Sequence, residues 1–189
     1  MTGPEAGVTP AREAAVDGLA GPQQRYGGAS ARVDGSLIVS MRRMNRVLAV
    51  DDAGAYAVVE PGVRFLDLRE HGHRLWPSSP DLGWGSVVGN TLEYGRGYTP
   101  YGDHASNACG LEVVLPSGEA MRTGMGAMSD SKSWHPYPWS FGPTHTGLFM
   151  QSNLGIVTKM GVWLMPVRTG AIRAGRECQR LRRSSALPR

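Results

Sequence analysis

Glycine constrains this chain more than any other residue type. There are 26 in 189 positions, about twice the usual ~7%. They cluster within residues 83–110 and 118–126 and follow no repeat. Glycine loses the most backbone entropy on folding, so dense glycine weakens long helices and strands alike. In exchange the backbone can turn sharply or lie close against another group. The expected product is a set of short elements joined by long, closely packed loops.

The rest of the composition allows a core. Hydrophobic residues make up 41% of the chain, near the usual fraction for globular domains. No apolar run approaches the length of a membrane span, so none is expected. The start, Met1-Thr2-Gly3-Pro4-Glu5, lacks a basic stretch followed by an apolar core. No secretory leader is therefore expected, and the expected location is the cytoplasm. The net charge of +4 is local: residues 167–189 hold seven arginines and one glutamate, so residues 1–166 are net −2. That distribution gives no footprint for nucleic acid. Cys109 and Cys178 stand far apart in unlike contexts, which suggests neither a disulfide framework nor a metal site.

Periodicity gives an α+β chain with mainly antiparallel pairing. Residues 1–24 are rich in Ala, Gly and Pro and read as disordered or divergent, with a helical turn over 11–16. Residues 36–39 and 47–50 read as strands. A turn at Asp51-Asp52-Ala53-Gly54 returns the chain through a strand over 55–60, making a hairpin. Residues 63–71 place Phe65, Leu66 and Leu68 on one side of a helix that Gly72 stops. Residues 77–103 read as one long aromatic-bearing loop, too ordered in composition for a linker. Residues 111–115 and 120–123 form a second hairpin around Pro116-Ser117-Gly118-Glu119. A helix is expected over 146–153, ended by Gly155, and a final strand over 156–166.

Three stretches can carry chemistry. Tyr26-Gly27-Gly28-Ala29 precedes the first strand, and paired glycines either gather backbone N–H groups around an anion or simply make a turn. The loop from Pro80-Asp81-Leu82-Gly83-Trp84-Gly85-Ser86 to Gly102-Asp103-His104 carries small residues that would let a flat ligand lie on main chain. Asp81 is the acid in its first half, and is otherwise a turn aspartate. Gln151-Ser152-Asn153-Leu154-Gly155-Ile156-Val157-Thr158 can offer backbone groups to the edge of a heterocycle, or is an ordinary turn into a strand.

These residues carry a resemblance. Met44-Asn45-Arg46-Val47-Leu48, Gly97-Tyr98-Thr99-Pro100-Tyr101-Gly102, Arg122-Thr123-Gly124-Met125-Gly126 and Ser152-Asn153-Leu154-Gly155-Ile156-Val157-Thr158-Lys159-Met160-Gly161 occur in that order. Together they resemble the vanillyl-alcohol oxidase and p-cresol methylhydroxylase flavoprotein family across residues 25–166. The resemblance implies an FAD-binding domain of the p-cresol methylhydroxylase type. It also implies oxidation of 4-substituted phenols at the benzylic carbon by hydride transfer to flavin. Oxygen then accepts the electrons in the oxidases and a cytochrome partner accepts them in the hydroxylases; a homo-oligomer is compatible with either.

Carried over by position, Tyr26 matches a tyrosine that binds the phenolate. Asp81 matches an acid near flavin N5 that favours oxidase chemistry. Gly27, Gly28 and Ala29 end the pyrophosphate loop. Leu82, Gly85, Ser86, Gly89, Asn90, Tyr98, Asp103, Gly155, Ile156 and Val157 fall in segments around the flavin. The chain departs from the family at Gln23-Gln24-Arg25, where a Gly-Arg-Asn type lead-in is usual. The substrate domain that follows in the family is not matched, and residues 167–189 read as an arginine-rich tail. The expectation is the FAD-binding part of a longer phenol-oxidising enzyme. The alternatives are an FAD-linked 2-hydroxy-acid oxidase domain and a truncated product that binds no cofactor.

Overall fold

The hairpin read over residues 47–60 forms one side of a five-stranded antiparallel sheet. In the computed structural model, which describes residues 15–17, 38–72, 74–128 and 130–166, two short strands come first: β1 (Ala15–Asp17) and β2 (Ile38–Ser40). The main sheet comprises β3 (Val47–Asp51), β4 (Tyr56–Val59), β6 (Ala108–Val114), β7 (Ala120–Arg122) and β8 (Ile156–Trp163). Its order is β3-β4-β8-β6-β7. A further pair joins β5 (Leu75–Trp76) to β9 (Met165–Pro166). The helices are α1 (Phe65–Glu70) and α2 (Val87–Leu92).

Burial follows strand position. Ala57, Val58 and Val59 are buried in succession, as in a strand covered on both faces. The outer strand β3 keeps Leu48 and Ala49 exposed. Met160 of β8 pairs with Val59 on one side and Leu111 on the other. Phe65 and Leu68 of α1, and Val87, Val88 and Leu92 of α2, close over these side chains. On the sheet itself Glu112 sits between Arg122 of β7 at 3.1 Å and Lys159 of β8 at 3.2 Å. Opposite charges placed across strands support the register. Cys109 is fully buried, and burial pushes its thiol up to about 12. Cys178 and the tail lie outside the described residues.

Four expectations change. The described part of the helical turn expected over 11–16 is strand β1, paired parallel with β2. Backbone pairing with a neighbour satisfies groups that an isolated helical turn leaves marginal. The loop over 77–103 contains α2, which Gly89 in its middle had disguised. The helix over 146–153 shrinks to a 3-10 turn at Thr146–Phe149. Gln151 adopts φ 46°, and its N–H bonds the Leu92 carbonyl at 2.9 Å instead of extending the turn. The final strand splits at Leu164, because Met165 and Pro166 leave the main sheet to pair with β5.

Leu111 is fully buried at the centre of this sheet. Leu111→Ala is expected to lower unfolding free energy by about 2–5 kcal/mol. Leu48→Ala, on the exposed side of β3, is expected to stay within about 0.5 kcal/mol. Urea unfolding monitored by circular dichroism checks both.

Candidate functional site

Ser86 fixes the glycine-rich loop to the sheet. Pro61, which ends β4, has no N–H, and its carbonyl accepts the Ser86 hydroxyl at 2.5 Å. The Ser86 hydroxyl oxygen in turn accepts the Gly89 N–H at 2.9 Å and so caps α2. The residues before it run beside the start of α1. Phe65 N–H donates to the Gly85 carbonyl at 3.1 Å and Leu66 N–H to that of Gly83 at 3.0 Å. Leu82 closes a turn by accepting the Gly85 N–H at 3.2 Å. Trp84 stands exposed, with the Arg64 guanidinium 5.2 Å from its ring centre. Asp81 opens this segment on the surface.

A second loop lies against the first. Residues 95–104 close on themselves: Gly97 N–H reaches the Gly102 carbonyl at 2.8 Å and His104 N–H that of Gly95 at 3.3 Å. His104 is only 3% exposed. Its Nδ1 meets Asn90 Oδ1 of α2, and its Nε2 lies 3.4 Å from Ser78 Oγ. Its ring lies 5.4 Å from that of Phe65. Burial holds the imidazole below its ordinary value and favours the neutral form. Above this base Tyr98 is 81% exposed, and its hydroxyl donates to Asp81 Oδ2 at 3.1 Å.

Most glycines of this region show the close packing that their density implied. A Cβ on Gly83 would strike Leu66 at 2.9 Å, and one on Gly97 would lie 2.5 Å from Ser78 Oγ. A Cβ on Gly95 would overlap the Asn90 side chain. These positions need glycine because the loops pack on each other. Gly85 differs: its nearest neighbour would be the Leu82 carbonyl at 3.5 Å, so its face is open.

The structure thus joins some expected residues and separates others. Asp81 and Tyr98 are bonded, Ser86 and Gly89 form one cap, and Asn90 holds His104. Asp103 instead accepts from Ser106 at 2.8 Å and pairs loosely with Arg96. Gly155 packs against Val113, while Ile156 and Val157 are ladder residues opposite Val114 and Val113. Val157 is buried in the core, so what it can offer a ligand is backbone. Tyr26, Gly27, Gly28 and Ala29 lie outside the described residues. His104, Ser78 and Thr99 were not singled out from sequence. Their signal was a histidine, a serine and a threonine around glycines too crowded for any other residue.

The family described as FAD binding domain matches residues 19–124. The chain belongs to this family. It is 44% identical over 147 residues to the 4-cresol dehydrogenase [hydroxylating] flavoprotein subunit of Pseudomonas putida, covering 75% of this chain and 28% of that protein. It superposes on a 4-ethylphenol oxidase from Gulosibacter chungangensis with TM-score 0.76 and 48% identity, covering 82% of this chain and 30% of that one. It superposes on p-cresol methylhydroxylase with TM-score 0.68 and 43% identity, covering 71% and 27%. The chain therefore spans just under a third of the length of these relatives. It is an FAD-binding domain of oxidoreductases related to p-cresol methylhydroxylase, with the fold of that type. No helix among the described residues is long and apolar enough to cross a membrane.

The loops have features that would suit a flavin: a Cβ on Gly85 would meet only an ordinary contact, the ring of Trp84 is exposed, and Tyr98 is a phenol bonded to a carboxylate. A flat ring that is apolar on its faces and polar at its edge needs this combination.

His104 and His135 share a pH signature, because burial lowers both below the ordinary 6.5. A lowered folded value means the unfolded chain binds more protons, so this stability is present above about 6.5 and is lost as pH falls. Unfolding free energy is expected to be flat from pH 7.5 to 7 and to decline from 6.5 to 5. His104→Asn should flatten part of that decline in a pH series of denaturant melts.

Proposed function

We propose that this chain supplies the flavin-binding part of an enzyme that oxidises 4-alkylphenols or 4-hydroxybenzylic alcohols at the benzylic carbon. The observation that carries the reading is the exposed Tyr98–Asp81 hydrogen bond, in a chain 48% identical to a 4-ethylphenol oxidase. FAD, when bound, supplies the acceptor for the hydride. Loss of that hydride from the benzylic carbon would leave the phenolate as a quinone methide, and water would add to its exocyclic carbon. Asp81 accepts the proton that the attacking water gives up. Tyr98 occupies Oδ2 and aims the carboxylate, which leaves the other oxygen for the water. Tyr26 binds the phenolate. The segments bearing Leu82, Gly85, Gly155, Ile156 and Val157, with the Tyr98 ring, would line the flavin. Ser86, Gly89, Asn90 and Asp103 hold the loops that do so, and Gly27, Gly28 and Ala29 carry the pyrophosphate. An acid at position 81 favours an oxidase, with oxygen as electron acceptor, over a hydroxylase that uses a cytochrome. A substrate domain completes the pocket and keeps water from the phenol.

In an enzyme completed with such a domain, Asp81→Ser is expected to lower kcat by roughly 10²–10⁴-fold. FAD affinity should change far less. Tyr26→Phe should raise KM instead. Stopped-flow turnover of 4-ethylphenol and 4-hydroxybenzyl alcohol, with D-lactate as control, checks this. Full turnover by Asp81→Ser would remove Asp81 from the chemistry, and turnover of D-lactate alone would favour a 2-hydroxy-acid oxidase.

A further inference from the structure

Tyr98 presents a physical problem. Its side chain is 81% exposed, so packing does little to fix its rotamer. A hydrogen bond to Asp81 in water contributes only about 0.5–1.5 kcal/mol net, comparable with the entropy of ordering the side chain. The pair keeps one geometry more firmly where the backbone on either side of Tyr98 is itself held.

Both chain neighbours of Tyr98 rest on one buried dyad. Gly97 packs so closely that a Cβ there would lie 2.5 Å from Ser78 Oγ and 2.8 Å from His104 Nε2. Thr99 donates its hydroxyl to Ser78 Oγ at 2.8 Å. The polar groups line up in one direction. Tyr101 N–H donates to Thr99 Oγ1 at 3.2 Å, and Thr99 donates to Ser78. Ser78 can then donate to His104 Nε2 across 3.4 Å, while Nδ1–H donates to Asn90 Oδ1. Each hydroxyl gives one hydrogen and accepts one. The arrangement requires neutral His104, since a second ring N–H would compete with the Ser78 hydrogen. Ser78 and His104 are buried and Thr99 and Asn90 half-buried, and a hydrogen-bonded network at low local dielectric rigidifies what it holds.

We propose that the relay Thr99–Ser78–His104–Asn90 is the device that fixes the Tyr98 hydroxyl on Asp81, which makes Thr99 and His104 positioning residues. Helix α2 is the fixed end, because Ser86 ties it to Pro61. The relay carries that fixed position across to the loop that bears Tyr98. Its service to catalysis rests on the function proposed above; the positioning itself does not.

The test places 3-fluorotyrosine at position 98 of the full 189-residue chain and reads its 19F resonance. Asp81→Ala marks the resonance of a phenol without its partner. Thr99→Val and His104→Asn are expected to move the resonance to that position, and Thr99→Ser to keep the original one. Thr99 is only half-buried, so Thr99→Val should retain the fold, checked by circular dichroism, even where His104→Asn does not. An unchanged resonance in folded Thr99→Val would overturn the proposal, as would a shift in Thr99→Ser equal to that in Thr99→Val. The same samples, titrated with FAD by fluorescence quenching, should show a dissociation constant raised about 3–10-fold in Thr99→Val. A moved resonance with unchanged FAD affinity would uphold the relay and count against Tyr98 facing the flavin.

Discussion

Strand β8 holds the molecule together. It is late in the described chain yet central in the sheet, paired on one side with β4 and on the other with β6. Met160 shows what that position requires, since it is fully buried between Val59 and Leu111. Neither flank of the sheet can close until residues 156–163 return. The opposite face of β8 is covered by the loop that precedes it: His135 Nδ1–H donates to the Cys109 carbonyl at 3.0 Å, and Trp163 Nε1 donates to the Pro136 carbonyl at 3.0 Å. Gly161 leaves the space that His135 fills.

The site inherits its position from that sheet through very few bonds. Glu60 accepts Arg46 N–H at 2.8 Å and its guanidinium at 2.7 Å, which fixes the end of β4 against the start of β3. The Arg46 hydrogen bond also holds the Glu60 carboxyl below the usual range. Pro61 follows and presents its carbonyl to Ser86. One buried hydroxyl then serves two backbone groups that burial would otherwise leave without partners, a costly condition. From Ser86 the order passes to α2, from Asn90 to His104, and from His104 to the loop carrying Tyr98. The exposed Tyr98–Asp81 pair lies at the end of this chain of contacts.

Much of this was legible in the sequence. The hairpin around Asp51-Asp52-Ala53-Gly54 and the helix ending at Gly72 follow local rules, since Asp51 accepts the Gly54 N–H at 2.8 Å and Gly72 takes φ 92°. The resemblance at residues 97–102 and 152–161 identified the cofactor domain before any contact was known. Less local features were harder to read. Helix α2 has glycine in its interior and depends on a hydroxyl bonded 25 residues away. The 3-10 turn after Thr146 ends early because Gln151 bonds Leu92, a contact no window of sequence contains. The loop glycines suggested room for a ligand, and most of that room is taken by Leu66, Ser78 and Asn90. His104 escaped notice because its importance lies in its neighbours.

Binding of FAD by this chain's own residues is read from its melting temperature with and without added FAD. A ligand at 100 times its dissociation constant stabilises the folded form by about 2.7 kcal/mol. For a chain of this size that corresponds to a rise of roughly 5–10 °C. A saturable rise of that order, matched by quenching of flavin fluorescence, is the expected result. A well-folded chain whose melting temperature does not move at millimolar FAD would contradict the account.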